Sequence, residues 1–437
     1  MKRRLTTLSI ATVTSAVLLT SGCISGSGGG SGGNAPQTAA PGEKVALTFS
    51  SYAFQDLTVK ATQNIVDTWN AANPDIHVDY QKVDPNSVHD KLVTQFAGSQ
   101  APDVIHDESA DIAGFSAQGY LADLTSMLPG DLKSDVPASV WQTVTFGGKI
   151  TGVPTIAQVY NLFANTDALQ KAGITPPTAD APWTWDDLAT NAKKLTTGGD
   201  VYGFAWGLKS PTATIQTLSL NWGGQWNYLE KGRWVLKIGT GEKTTLTTIH
   251  DMIYADKSVD PAGVGLSGSA VLPAFFGGKC AMTVQGNYQA QGMIQQSPKG
   301  FNWAMFPPLK GKTQDQAANP QTLSISSQSQ HKAEAMQFIA YALNSQNMAK
   351  LSAGDWLIPA GPKAAKIVVK STKHYGSWKN AVSAVPHFKK ANWVTLKAYP
   401  RWKAEIATPA FRQYLSNQID LDKLTSQLVD GWNSIRG

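Results

Sequence analysis

Two pairs of adjacent carboxylates, Asp107-Glu108 and Asp186-Asp187, are the residues most able to do chemistry. Glycan hydrolysis needs two carboxyl groups roughly 5–10 Å apart, one as acid and one as base or nucleophile. Neighbouring side chains diverge on a strand, so neither pair satisfies that need by itself. Asp186-Asp187 also reads as a helix N-terminus after Thr184. The chain has no Gly-x-Ser-x-Gly elbow and no His-Glu-x-x-His motif. Its seven histidines are dispersed, without the clustered ligands that metal capture requires. No metal and no cofactor is expected. A glycan-active enzyme remains a rival reading. So does a binder of another solute such as a polyamine, which Asp107 with Glu108 would suit.

A second chemistry is sugar recognition. Sugars have apolar C–H faces and hydroxyl rims, so a site needs flat aromatic platforms and planar polar groups. The chain has 14 Trp and 12 Tyr, most of which must serve as core. Trp222 lies in Asn221-Trp222-Gly223-Gly224-Gln225-Trp226, where two glycines would let backbone approach a ligand. Trp356 lies in Gly354-Asp355-Trp356-Leu357-Ile358-Pro359, which reads as a turn-like loop. Trp206 and Trp402 are further candidate platforms.

The elements that would position these residues are legible as patterns. Val45 to Ser51 reads as a strand. A helix over Leu57 to Ala72 follows, with Ile65 and Trp69 on one face and Asn73-Pro74 as its stop. Ile76, Val78 and Tyr80 alternate with polar residues as in a half-buried strand. Ser87 and Asp90 suggest a capping box for a helix carrying Leu92 and Phe96. Val104-Ile105 begins another strand. This β-α-β-α-β order predicts a parallel sheet flanked by helices. Its ligands would sit beyond the carboxyl ends of the strands. Two segments fall there: Ser51 to Asp56, with Tyr52 and Gln55, and His106 to Ser109, with Asp107 and Glu108. Further helices are expected after Thr184, over Lys332 to Leu343, and along Leu421, Leu424, Leu428, Trp432 and Ile435.

The N-terminus reads as an export signal. Lys2, Arg3 and Arg4 precede an uncharged run, Leu8 to Thr20, too short to span a bilayer. Thr20-Ser21-Gly22-Cys23 then resembles the lipobox of bacterial lipoproteins, which would make Cys23 the lipidation site. Thr20 stands where that motif prefers Leu. Ordinary cleavage with Cys23 incidental is the alternative. Residues 1–22 are thus expected to be a signal peptide and 23–43 a flexible Gly/Ser-rich tether. Cys280 is the only other cysteine, so an acylated Cys23 leaves no intramolecular disulfide. The three basic residues of the signal carry half of the net charge of +6. What remains gives no support for nucleic-acid binding.

Several blocks, in order, resemble one family. They are Trp69-Asn70-Ala71-Ala72-Asn73-Pro74-Asp75-Ile76-His77-Val78, then Phe96 to Ile105 and Gln118-Gly119-Tyr120-Leu121-Ala122-Asp123-Leu124. Gly148-Lys149-Ile150-Thr151-Gly152-Val153-Pro154, Phe163-Ala164-Asn165-Thr166-Asp167 and Phe276-Gly277-Gly278-Lys279-Cys280-Ala281-Met282 with Gly286 complete the set. Together they resemble the carbohydrate-binding solute-binding proteins of ABC importers, to which maltose-binding protein belongs. The resemblance implies an α/β, two-lobe, periplasmic-binding-protein-like fold. Each lobe would be a central sheet flanked by helices, and hinge crossings would join the two. It places one lobe at 44–155 plus 286–325 and the other at 156–285 plus 326–437. It also implies a carbohydrate ligand, permease partners and a non-enzymatic protein; the export signal, Cys23 and the tether add the expectation of a monomer lipid-anchored at the extracellular face of the cell membrane. By resemblance Tyr288 is a stacking platform, and Gln158 stands where the family has a ligand-binding carboxylate.

Overall fold

A computed structural model describes residues 39–436 apart from 41, 54, 86 and 372–374. The signal peptide, Cys23 and most of the expected tether lie outside the described residues. The body begins earlier than expected. The Ala39 amide donates to the buried Glu334 carboxylate at 2.6 Å, so residues 39–43 do not all belong to a free tether.

The strands of the two larger sheets are, in chain order, β1 Val45–Ser51, β2 Ile76–Lys82, β3 Val104–Glu108, β4 Val153–Ala157 and β5 Tyr160–Asn165. There follow β6 Tyr202–Ala205, β7 Cys280–Gly286, β8 Trp303–Met305, β9 Pro320–Ile325 and β10 Ile358–Pro359. One sheet has the order β10-β4-β9-β3-β1-β2, and a second has β8-β5-β7-β6. The expected β-α-β-α-β start is observed, with β2 and β3 both parallel to β1. The antiparallel strand β9 lies between β3 and β4.

Each helix forms where its pattern and caps allow. Asp56–Ala72 buries Thr58, Thr62, Ile65, Val66 and Trp69, one stripe at helical spacing. Before Trp185–Leu195, Thr184 accepts from the Asp187 amide while the Asp187 carboxylate accepts from the Thr184 amide, a complete capping box. The box expected at Ser87 does not form. Its hydroxyl donates instead to the Asp84 carbonyl at 3.3 Å.

Two hydrophobic cores hold the sheets. One gathers Leu47, Val104, Val153 and Leu323 and continues through Trp356 and Trp378 to Phe163 and Met305. The other holds Leu162, Met282 and Val284 against Trp185, Trp402 and Trp432. Two segments sit elsewhere than the expected boundaries put them. Phe338, on the helix Lys332–Ala342, meets Phe49 and Trp69 of the first sheet's core at 5.4 and 5.7 Å between centroids. Residues 303–305 form an edge strand of the second sheet. The reason is that Gly286 ends a strand but not a lobe. The chain leaves the second sheet after Met305, pairs Gln316–Ala318 with Phe388–Lys390 in a separate two-stranded sheet, and enters the first sheet at Pro320.

Candidate functional site

A cleft of about 700 Å³ lies where the two sheets exchange chain. Its lining comes from segments far apart in sequence. Tyr52 and Gln55 follow β1, and Glu108 and Asp111 mark the end of β3 and the helix after it. Gln158 and Tyr160 span the step from β4 to β5, and Tyr288 follows β7. Asn319 and Gln321 open β9, Asp355 ends the helix Ser345–Asp355, and Trp393, Tyr399 and Lys403 come from the C-terminal region.

Local geometry explains how each wall is held. β9 pairs antiparallel with β3, placing Gln321 opposite Glu108 and Thr322 opposite Asp107. Strand alternation therefore turns Glu108 and Gln321 to one face and Asp107 to the other. Asn319 Nδ2 donates to Glu108 Oε2 at 2.8 Å, and Asn319 Oδ1 accepts from the Ser109 hydroxyl at 2.9 Å. Buried His106 sits between Ser51 Oγ at 2.8 Å and Gln321 Oε1 at 3.0 Å. Its Nε2–H must donate to the amide oxygen, so Nδ1 accepts from the serine. Tyr52 lies over this imidazole, 4.6 Å between centroids.

Gly286 brings the Gln158 amide and the Tyr288 ring together. A Cβ there would fall 2.4 Å from Tyr288 Cε1 and 3.0 Å from Gln158 Nε2, so only glycine allows both groups to lie against the backbone. Gly354 does the same for Asp355. A Cβ on it would sit 2.5 Å from Thr58 Oγ1, and this close approach lets the Thr58 hydroxyl donate to Asp355 Oδ1.

The chain crossings are fastened by buried amide side chains. Asn287 Oδ1 accepts from the Val159 amide at 3.0 Å, and its Nδ2 donates to the Trp356 carbonyl at 2.6 Å. Gln316 Oε1 accepts from the Tyr160 amide, and its Nε2 donates to the Tyr160 carbonyl, both at 2.8 Å.

The cleft is acidic. Burial raises Glu108, as does Asp111. Burial also raises Asp111, against the pull of His89, Asp107 and Lys403. Asp107 is pushed well above the usual carboxylate range by burial and by Asp111. Burial brings Asp355 to about 6, although Thr58 and Gln321 pull it down. Tyr52 rises by burial first and then by the charges of Glu108, Asp107, Asp355 and Asp111. His106 falls to about 4 because burial disfavours the imidazolium. Burial lifts Tyr160 to about 12 and also raises Tyr288 and Tyr399. Among the described residues, no group of three or more His, Cys, Asp or Glu could hold a metal ion.

Of the residues expected at the site, Tyr52, Gln55, Glu108, Gln158 and Tyr288 line the cleft. Asp107, Trp206, Trp222, Trp356 and Trp402 do not. Asp107 is on the wrong face of its strand and 1 % exposed. Trp206 is core, packed between Phe204 and Trp185. Trp402 is core as well, with Nε1 donating to the Leu428 carbonyl at 3.0 Å. Trp222 lies against Gly311, where a Cβ would come within 2.9 Å of its ring. Of the glycines beside it, Gly223 takes the left-handed backbone at φ 85° that ends the turn, and Gly224 serves packing. Gly224 makes room for Ser219 and Glu242, and Glu242 Oε1 accepts the amides of Gln225 and Trp226 at 2.7 and 2.9 Å. Trp356 caps its helix in the left-handed region at φ 57° and stacks on Trp378, 4.6 Å between centroids. The Asp186-Asp187 pair is a helix N-terminus, as its spacing suggested.

Sequence reasoning missed Asp111, Tyr160, Asn319, Gln321, Asp355, Trp393, Tyr399 and Lys403. Asp355 and Lys403 are chain neighbours of Trp356 and Trp402. Asp111 follows Glu108 by three residues, across the start of a helix. Helix and strand phase alone could have separated these neighbours.

A model of the family described as bacterial extracellular solute-binding protein matches residues 55–349. An uncharacterized lipoprotein from the oleD 5′ region of Streptomyces antibioticus is 39% identical over 377 residues, 85% of this chain and 83% of that protein. The arabinooligosaccharide-binding protein of Bacillus subtilis is 30% identical over 225 residues, covering 50% and 49%. The structure of the sugar-binding protein MalE from Xanthomonas citri superposes with a TM-score of 0.78 at 19% identity, covering 90% of this chain and 97% of that one. That likeness is one of fold.

Proposed function

The chain belongs to the bacterial extracellular solute-binding proteins, and from that premise we propose that it captures a sugar or oligosaccharide and hands it to an ABC importer. One observation carries the reading. The rings of Tyr52, Tyr160, Tyr288, Trp393 and Tyr399 share a cleft of about 700 Å³ with planar amide and carboxyl groups. Rings cover apolar sugar faces, and amides and carboxylates meet hydroxyl rims with paired donors and acceptors. The arabinooligosaccharide-binding relative supports the solute class. We assign ligand contacts to Tyr52, Gln55, Glu108, Gln158 and Tyr288, joined by Asn319, Gln321 and Asp355. The two sheets would be the centres of two lobes that close on the ligand by hinge motion.

The protein would act at the extracellular face of the cell membrane, held by acyl chains on Cys23 and working as a monomer with permease subunits. The lipoprotein name of the Streptomyces relative favours that anchor.

A thermal-shift screen of the full chain against mono- and oligosaccharides tests the function. A ligand at 100 times its Kd stabilises by about 2.7 kcal/mol. A sugar that shifts the midpoint is the expected result. Shifts produced only by non-carbohydrate solutes would refute the reading.

A further inference from the structure

The charges in the cleft are unbalanced. Three carboxylates, Glu108, Asp111 and Asp355, line it, and Lys403 is the one basic side chain among the described residues that do so. Asp107 lies behind them, buried on the other face of its strand, and supplies no positive charge. Lys403 acts on Glu108 and Asp111 and pulls both down, but it is not among the groups that act on Asp355.

Asp355 is also incompletely satisfied. Its side chain is 1 % exposed, Oδ1 accepts from Thr58, and Oδ2 has no hydrogen-bond partner. The Tyr52 hydroxyl, 6 % exposed and within the field of Asp355, has no partner either. Two buried, unpartnered polar atoms therefore belong to residues lining one cleft, with an excess of negative charge around them. A neutral sugar would leave that charge uncompensated. An ammonium removes one of the two net negative charges, with charge-assisted hydrogen bonds about twice as strong as neutral ones.

We infer that the carbohydrate held here carries a basic amino group, which docks as an ammonium on the Asp355 carboxylate. This rests on the carbohydrate reading above and narrows it. The amine chemistry could also come from a polyamine without a sugar, so the test includes one.

The full chain is titrated calorimetrically at pH 7 with matched pairs: glucose and glucosamine, galactose and galactosamine, mannose and mannosamine, and cellotriose with the β-1,4-linked glucosamine trimer. Spermidine is the amine without a sugar. The expected result is at least one amino sugar binding about tenfold or more tighter than its hydroxyl partner. That ratio should fall about tenfold in Asp355→Asn, which keeps the side-chain shape and the Oδ1 acceptor. Circular dichroism and the unfolding midpoint confirm that the variant is folded. Hydroxyl sugars binding as tightly as their amino partners would overturn the inference and leave the carbohydrate reading intact. An amino-sugar preference undiminished in Asp355→Asn would overturn the assignment to Asp355. Binding of spermidine with no binding of any sugar would overturn the carbohydrate reading and the inference with it, as would no binding of any probe.

Discussion

Asp355→Asn should make the ligand-free protein more stable at neutral pH, by an amount that depends on pH. The carboxyl is raised to about 6 from an ordinary 3.8. A raised folded value means that the native state binds the proton more tightly than the unfolded chain does. The stability this gives is complete below about 3.8 and is lost as pH rises through 6. Tighter proton binding of that size, roughly a hundredfold, is worth about 3 kcal/mol by pH 7. Asparagine resembles the protonated acid in shape and does not titrate, so the variant escapes that loss. It should exceed the wild type by about 3 kcal/mol at pH 7 and by about 1.5 kcal/mol at pH 5. Urea unfolding followed by tryptophan fluorescence at the two pH values measures the gap. A gap of the same size at both, or a variant less stable than wild type at pH 7, would refute the reasoning.

His106 runs the other way. Its value is lowered to about 4 from 6.5, so acidification should remove about 2 kcal/mol of stability between pH 7 and pH 5, and His106→Asn should abolish that share of the slope in the same urea titrations. Tyr288→Ala should weaken ligand binding by about tenfold to a hundredfold in calorimetry with the unfolding midpoint almost unmoved. Trp402→Ala should lose about 3–5 kcal/mol of stability in urea, because its ring is core. Trp356→Gly should prove no less stable than Trp356→Ala by the same measure, because glycine relieves roughly 1 kcal/mol of left-handed backbone strain at φ 57°. Cys23→Ala should abolish membrane retention of the exported chain, read by fractionating cells; unchanged retention would exclude Cys23 as the anchor.

The order of elements was legible because the hydrophobic spacing is local. Ile65 and Trp69 fix a helix face, and Ile76, Val78 and Tyr80 fix a strand, without reference to anything distant. The helix capping box at Thr184 was legible for the same reason. The cleft was legible only in part. Tyr52, Gln55 and Glu108 were reachable from the rule that parallel sheets bind ligands at their carboxyl ends. Gln158 and Tyr288 came from family likeness. The tryptophans misled, because size and neighbouring glycines say nothing about which side of an element a ring occupies. Trp356 and Asp355 are adjacent, yet one enters the core and the other the cleft. Asn319 and Gln321 could not be found locally, because their role depends on β9 pairing with β3 more than 200 positions away.

The crossings near Val159 and Tyr160 are fastened by the side chains of Asn287 and Gln316. A ladder bond ties two backbones at fixed orientation. An amide on a side chain is a tie rod, and it can swivel about its own torsions while keeping both ends attached. Flexing at Gln316 therefore consumes torsion and leaves its hydrogen bonds unbroken, whereas near Val159 a backbone bond from the Asn287 amide to the Val159 carbonyl at 2.9 Å resists it. Asparagine has two such torsions and glutamine three, so the rod at Asn287 is the stiffer. Motion between the two sheets should pivot close to Val159 and sweep more widely at Gln316, the end that leads into Asn319 and Gln321.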